Sequence, residues 1–456
     1  MHDVIVIGGG PGGYAAAIRC SQLGAKVALI EPDQIGGTCV NRGCIPAKIW
    51  HQAASYKQAI DKAAEFGLKA ELIETDLKTV VDRKTGITSD LRQGMTGILK
   101  SNKVDIFQEY GAFKGPGALQ VGDQVLEAEK IIIATGASLS VPEIPGLDQA
   151  LMTTDQIFDM TEVPDSVLVF GADCIEIEMA SILNLFGAKV ILVFESSRIL
   201  PGEDSDTGQR ISKSLREQGI EIIPRSSIAF VEKNANGFEA TLKGTEEKKI
   251  AIDRILVAGH KPNLEALKPE QAGLVLNDDG FIKVDDYLKT SVDGIYAIGD
   301  VTGGRRFSYA ATAMGVAAAE NIMSNATPFP SHLIPRGLYT MPEAASVGLS
   351  EEEAEDRGYD VETGQFPLSI NGLAMAYGEG EGSIKIVAEA AYGEVLGIHI
   401  VGGRATETIW GAALALQLEA TLEDLAHSIA LHPTFSESLA MAAQNALGWA
   451  LYLPKR

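Results

Sequence analysis

Cysteine is scarce in this chain: four in 456 residues. So few exclude a scaffold stapled by disulfides. Positive charge is short as well, with 38 Lys and Arg against 61 Asp and Glu and a formal net charge of −23. That balance argues against nucleic acid and anionic membrane surfaces as partners, and the surplus carboxylates read as solvated surface. Long apolar runs are missing too. A helix needs ~20 apolar residues to span a bilayer, and the nearest approach, residues 405–420, carries Glu407, Gln417 and Glu419. No basic segment, apolar core and cleavage site precede "VIVIGGG", so no export signal is expected and the cytoplasm is the expected location. What is present is a soluble globular composition, 46% hydrophobic with 48 glycines, at a length that suits two to four domains.

The order of segments points to an α/β chain. A β-rich run at residues 4–7 leads through glycines into a helical stretch at 14–23 and a second strand at 27–30. This strand–turn–helix–strand unit starts a doubly wound parallel sheet. A helical region follows over about 49–103, then strand-like "VDIFQEYGAF" and "AEKIIIATG". The same grammar restarts at Ser166 with "SVLVFGA", a helix at 177–186 and "AKVILVF", after the linker "SVPEIPGLDQ". A further strand–turn segment, "DGIYAIGDVTGG", lies near residue 300. From Leu338 the texture changes to a β-meander turning at Tyr392–Gly393, with helices expected at 405–420 and 437–451. The expected fold is thus two Rossmann-like dinucleotide-binding domains and a separate C-terminal α+β domain.

Gly8, Gly10 and Gly13 fit G-x-G-x-x-G. The first glycine allows a tight turn, the second lets a pyrophosphate approach the backbone, and the third lets helix and strand pack closely. Glu31 ends the second strand 23 residues after Gly8, where a carboxylate holds an adenosine ribose.

Cys39 and Cys44 stand five residues apart in "GGTCVNRGCIPAK". Such a pair serves as a structural disulfide, a metal site or a redox couple. Cys20 and Cys174 read as small core residues and supply no second close pair for zinc, so no metal is expected. In a regular helix this spacing separates Cα atoms by roughly 8–9 Å, whereas a disulfide needs roughly 4.4–6.8 Å. The intervening segment must be distorted for a bond, and Gly43 and Pro46 permit that. A loop so short gains little stability from closure, which favours a reducible couple over a staple. Lys48 falls one turn after Cys44 on the same face, where a cation favours a thiolate or a reduced, anionic cofactor.

These residues resemble a known family. "GGTCVNRGCIPAK" closely matches the redox-disulfide signature of the flavin disulfide oxidoreductases. "IIIATGA" and "IYAIGDV" resemble their two further flavin-domain signatures, and "LYTMPEAASVG" and "LHPTFSE" their interface domain. The likeness runs from residue 3 to about 445, and is greatest to the dihydrolipoamide dehydrogenase branch through "NGLAMAYGE", "GEVLGIHIVGGRATE" and "HPTFSE". The resemblance implies an FAD-binding domain over 1–145 and 268–335, an NAD(P)-binding-like domain over 146–267 and a dimerisation domain over 336–456. It implies FAD held by Gly8, Gly10, Gly13, Glu31, Thr38, Lys48, Ala112, Thr135, Gly136 and Asp300. It also implies that Cys39 is the interchange thiol that meets a dithiol substrate and that Cys44 is the thiolate facing the flavin. Lys48, paired with Glu178, would lie near the flavin N5, and Asp300 at the ribityl chain. His432, oriented by Glu437, would be the general base and reach the disulfide of the other subunit, so the active site would exist only in a homodimer. The implied substrate is a dihydrolipoyl group on a carrier protein, and the implied acceptor is NAD+.

The second nucleotide motif departs from the family. It reads Gly171-Ala172-Asp173-Cys174-Ile175-Glu176-Ile177-Glu178, so Asp173 and Glu176 stand where the family has glycine. Both add bulk and negative charge where a pyrophosphate approaches. At an effective dielectric near 20, one like-charge contact at 4 Å costs about 4 kcal/mol, roughly three decades of affinity. The next strand ends with Glu195, one position later than the family's usual acid, and His260 and Tyr309 stand where Arg and His are usual. Gly171 and Glu195 are the remaining candidates to hold NAD(H). Two readings stay open: a rearranged NAD site that works, or a flavoprotein with impaired NAD(H) binding and another electron partner. A glutathione or thioredoxin-like disulfide substrate, and a non-catalytic flavoprotein subunit, are the alternatives to the dihydrolipoyl reading.

Overall fold

The computed structural model describes residues 1–235, 237–324 and 326–454. Strands β1 (Val4–Ile7) and β2 (Val27–Ile30) are buried along their whole length. Continuous aliphatic runs of this kind belong to parallel sheets covered on both faces. Helix α1 (Pro11–Gln22) connects them. It begins at Pro11 rather than Tyr14 because proline suits the first helical position, where its missing N–H has no partner to lose. The sheet runs in the order Ile295–Ala297, Lys130–Ile133, β1, β2, β3 (Asp105–Phe107), every neighbour parallel. Ile5, Ile7, Ile131 and Ile133 fill the core on one face, and Val4, Val6, Leu29 and Ile132 the other.

The helical region beyond the glycine turn resolves into three helices, α2 (Gly37–Asn41), α3 (Cys44–Asp61) and α4 (Leu77–Ser101). A short 3-10 turn, Ala63–Phe66, ends at Gly67, whose φ of +75° stops the helix. Asp76 restarts it by accepting a hydrogen bond from the Thr79 amide, an N-cap.

A second parallel sheet repeats the layout. Its order is Glu221–Ile223, Lys189–Val193, Ser166–Phe170, Arg254–Val257, Leu151–Met152. The helix Cys174–Leu185 follows the central strand. Trp50 of α3, fully buried, packs into the core under this second sheet and donates its indole N–H to the Phe158 carbonyl at 3.2 Å. With the Trp50 ring edge-on to Phe186 at 5.3 Å, just past the Cys174–Leu185 helix, this packing holds α3 against the second unit and so decides where Cys44 and Lys48 sit.

The C-terminal region is an antiparallel sheet, in the order Arg336–Leu338, Ala344–Gly348, Val395–Val401, Ser383–Glu389, Val361–Pro367. The expected turn at Tyr392–Gly393 joins two of its strands, with Gly393 at φ +73°. The flanking helices, Ala405–Gln417 and Glu437–Ala446, end sooner than the sequence suggests. Glu419 at φ +53° and Gly448 at φ +79° turn the chain out of the helix. Among the described residues no helix is long and apolar enough to cross a membrane.

Candidate functional site

The first glycine motif forms a cradle that excludes side chains. A Cβ on Gly8 would stand 2.2 Å from the Ala134 carbonyl oxygen, and one on Gly13 would stand 1.8 Å from that of Gly8. Gly10 caps α1 without any side chain covering the first-turn amides, which leaves an anion site at the positive end of the helix. Glu31, at the end of β2, accepts the Gly9 amide at 2.6 Å. Thr135 buries a hydroxyl that has no partner among the described residues, and Gly136 beside it has φ +70°. Asp300 lies on the 3-10 turn Gly299–Thr302, where burial raises its pKa. Ala112 is on the strand Gly111–Gly115, and Gly111 packs on Ile7 and Ile30 at the ends of β1 and β2. An uncapped helix start, an unpartnered buried hydroxyl and a half-buried carboxyl fit FAD, whose pyrophosphate the α1 amides would meet, with Glu31 at its ribose and Asp300 at its ribityl chain.

The cysteine segment abuts this cradle. A Cβ on Gly37 would stand 2.7 Å from the Gly10 Cα, so only glycine brings α2 so near. Thr38 and Cys39 ride on α2, and the chain breaks at Arg42 and Gly43 before Cys44 opens α3. This is the distortion that the five-residue spacing requires, and it brings the two sulfurs within hydrogen-bonding reach. No disulfide joins them; both are thiols. The hydrogen bond from Cys39 holds the Cys44 thiol down at about 7, with Ser308 and Lys48 helping against burial. The same bond, and then burial, push the Cys39 thiol far up. One sulfur therefore carries the charge and the other the proton.

Ser308 was not visible as a site residue in the sequence, where it is one serine among many. It opens the helix Ser308–Met323, and its Oγ lies 3.5 Å from the Cys44 sulfur. Once Cys44 is a thiolate, the serine hydroxyl is the donor. The neighbouring Tyr309 stacks on Phe307 at 5.2 Å and donates its hydroxyl to the Pro335 carbonyl at 2.7 Å. It thereby ties this helix start to the C-terminal region.

Lys48 points back from α3 to Glu178 at 2.8 Å. Glu178 also accepts the Tyr339 amide at 2.9 Å, and the Lys48 ammonium lies 3.5 Å from the centre of the Tyr339 ring. One carboxylate thus joins all three parts of the fold behind the cysteine pair. His51, a turn further along α3, is half-buried, and its pKa is lowered by that burial and then by Lys48.

His432 and Glu437 meet at 2.8 Å between Nδ1 and Oε2. A carboxylate only accepts, so Nδ1 carries the hydrogen and Nε2 is left as the basic atom. Glu437 is held in turn by the Thr434 amide at 3.3 Å. The imidazole is 74% exposed, turned away from its own chain. Ile429 and Leu431, beside His432 in the chain, and Trp410, Leu414 and Leu418 elsewhere in the C-terminal region are large, apolar and exposed, which is the composition of an unpaired subunit interface.

The second glycine turn differs from the first. Gly171 has φ +141°, but the Glu176 side chain lies across it and is buried. Glu195 follows the strand Lys189–Val193 and is exposed. His260 is partly buried, and burial lowers its pKa to about 4; its Nδ1 has no partner among the described residues. Cys174 is largely enclosed and its thiol pushed up by burial. The Glu176 side chain thus fills the space beside Gly171 that Gly13 leaves clear in the first turn. Among the described residues no three His, Cys, Asp or Glu side chains are grouped to hold a metal ion.

The chain belongs to the pyridine nucleotide-disulphide oxidoreductases: that family's pattern matches residues 2–317, and the pattern of its dimerisation domain matches residues 334–443. Within the family it falls with the dihydrolipoamide dehydrogenases. It is 38% identical to a dihydrolipoyl dehydrogenase of Thermus scotoductus, covering 100% of this chain and 99% of the relative. It is 34% identical to that of Bacillus subtilis, covering 99% of each. Among solved structures it is similar to LpdA of Mycobacterium tuberculosis, with 26% identity, a TM-score of 0.89, and 97% of this chain and 99% of the other covered. It is also similar to the HOCl-induced flavoprotein disulfide reductase RclA of Escherichia coli, with 27% identity, a TM-score of 0.86, and 97% and 99% covered. The dimerisation domain makes the homodimer the assembled form.

Proposed function

We propose that this chain is an FAD-dependent dithiol–disulfide oxidoreductase that oxidises dihydrolipoyl groups carried on a protein. The observation that carries the reading is the unequal cysteine pair, one sulfur poised as thiolate near pH 7 and its partner held protonated beside the flavin cradle. Substrate oxidation starts from the Cys39–Cys44 disulfide. A substrate thiolate attacks Cys39, the S–S bond breaks and Cys44 leaves as a thiolate. The second substrate thiol then attacks the mixed disulfide, which releases the oxidised substrate and leaves Cys39 as a thiol. FAD held in the first glycine cradle would supply the acceptor for the electron pair so stored on Cys39 and Cys44. His432 of the partner subunit removes the substrate protons through Nε2, and Glu437 holds the imidazole in the tautomer that allows it and stabilises the imidazolium. Lys48 and Ser308 stabilise the leaving thiolate, which lowers the barrier to opening the disulfide. Such a reducible pair suits the cytoplasm, where the surroundings do not lock it as a disulfide.

Anaerobic titration of the purified yellow protein with dihydrolipoamide tests the reading. The expected result is a long-wavelength absorbance, the signature of a thiolate against an oxidised flavin, at one equivalent of dithiol. A flavin left unchanged by dihydrolipoamide but reduced by the thiol of glutathione or by the dithiol of a thioredoxin-like protein would move the substrate to that class.

A further inference from the structure

The helices that open the two nucleotide units start differently. At the third motif position of the first unit, Gly13 leaves the turn clear. At the same position of the second, Glu176 is the third residue of the Cys174–Leu185 helix, whose N-cap is Asp173. The Asp173 side chain makes no cap hydrogen bond. Instead the Glu176 carboxyl turns back over the start of its own helix, where the amides of Glu176 and Asp173 favour its charged form. A glutamate at this third helical position is the one placed to reach back toward the N-cap amide. Its path crosses the turn: Cγ, Cδ and Oε1 lie 2.6, 2.7 and 2.7 Å from where a Cβ on Gly171 would stand. The side chain is 7% exposed, and among the described residues it has no ion pair.

In a dinucleotide-binding unit those amides and that space belong to the ligand's pyrophosphate. We infer that Glu176 is a built-in occupant of the second cradle, whose carboxyl group takes the helix-start amides a pyridine nucleotide needs, so that the nucleotide binds only when this side chain swings out. Glu176 is thus a specificity-determining residue on the acceptor side, and it weakens pyridine nucleotides through the part they all share. Asp173 adds a like charge at the rim. Burial, with Asp173 opposing ionisation and Arg306 favouring it, pushes the carboxyl up to about 7. The side chain therefore obstructs by volume when neutral and by charge as well when ionised. This inference rests on the oxidoreductase reading only for its meaning, since the binding event can be measured apart from any turnover.

The test is calorimetry of ADP-ribose, which has the pyrophosphate and no nicotinamide, on the FAD-loaded dimer, with NADH fluorescence as a second readout. Glu176→Gly should bind ADP-ribose at least about tenfold tighter than the parent, ~1.4 kcal/mol. Glu176→Ala, which spares the helix the flexibility of glycine, should gain nearly as much. Glu176→Gln, which keeps the size and the acceptor but loses the charge, should gain less. Equal affinity in the parent and in both small variants overturns the inference and leaves Glu176 a helix cap. Dihydrolipoamide reduction of the parent flavin, followed alongside, fails only if the proposed function is wrong, whatever ADP-ribose does.

Discussion

Replacing Ser308 by alanine removes one oxygen from the molecule and one hydrogen bond from Cys44. Cys39, Ser308, Lys48 and the backbone amide of Cys44 itself favour the Cys44 thiolate, and together they hold it at about 7 despite burial. A hydrogen bond to a charged group contributes about 1.5–3 kcal/mol. The Ser308 contact spans 3.5 Å to a sulfur, so the lower end, about 1.5 kcal/mol, applies. A pH unit corresponds to ~1.36 kcal/mol, so the variant's thiolate should titrate about one unit higher. At pH 7 the thiolate fraction would fall from about one half to about one tenth. The assay is an anaerobic pH titration of the two-electron-reduced protein, read in the long-wavelength absorbance that the thiolate gives beside the flavin. Ser308→Thr, which keeps a hydroxyl, should return the midpoint most of the way. A midpoint that moves by less than about a quarter of a unit, or that moves down, refutes the assignment and leaves Ser308 a helix-start residue.

Four further outcomes follow from the same geometry. His432→Gln should lower kcat/KM for dihydrolipoamide by two to four decades, the usual worth of a positioned general base, and Glu437→Gln should lower it less while displacing the basic limb of the pH profile. Glu178→Gln leaves the Lys48 ammonium without its counter-charge; with Lys48 33% exposed, the cost is discounted to roughly 1–2 kcal/mol and is read as a lower midpoint in denaturant. Leu431→Lys, or Ile429→Lys, on the exposed apolar face beside His432, should shift the protein toward monomer in sedimentation and remove dihydrolipoamide oxidation with it. Glu176 links stability to pH. Its folded pKa of about 7 exceeds the ordinary 4.5, so its contribution is full below 4.5 and is lost as pH rises through 7, by on the order of 3 kcal/mol; Glu176→Gln should flatten that part of the unfolding-free-energy profile.

The parallel sheets, the flavin cradle and the cysteine pair were legible because each is a local pattern. Four consecutive buried aliphatic residues make a covered strand, and three glycines at set spacing make the only turn that brings β1 and α1 so close. Two cysteines five residues apart can bond only across a broken helix, and the break falls at Arg42 and Gly43. Helix ends were less legible, since one residue entering positive φ, Glu419 or Gly448, decides where a periodic pattern stops. The pair Lys48 and Glu178 was expected only through resemblance, because 130 residues separate them in the chain.

Ser308 and the direction of the Glu176 side chain lay beyond any such reading. That Asp173 and Glu176 replace glycines is written in the chain. That the added carboxyl folds inward onto its own helix start, rather than out toward solvent, is set by the burial and free amides around it. Short-range stereochemistry dictates which turns and strands the chain can form. Which side chains meet, and how strongly a thiol or carboxyl holds its proton, depends on distant segments packed into one low-dielectric space, and that information exists only once the segments are assembled.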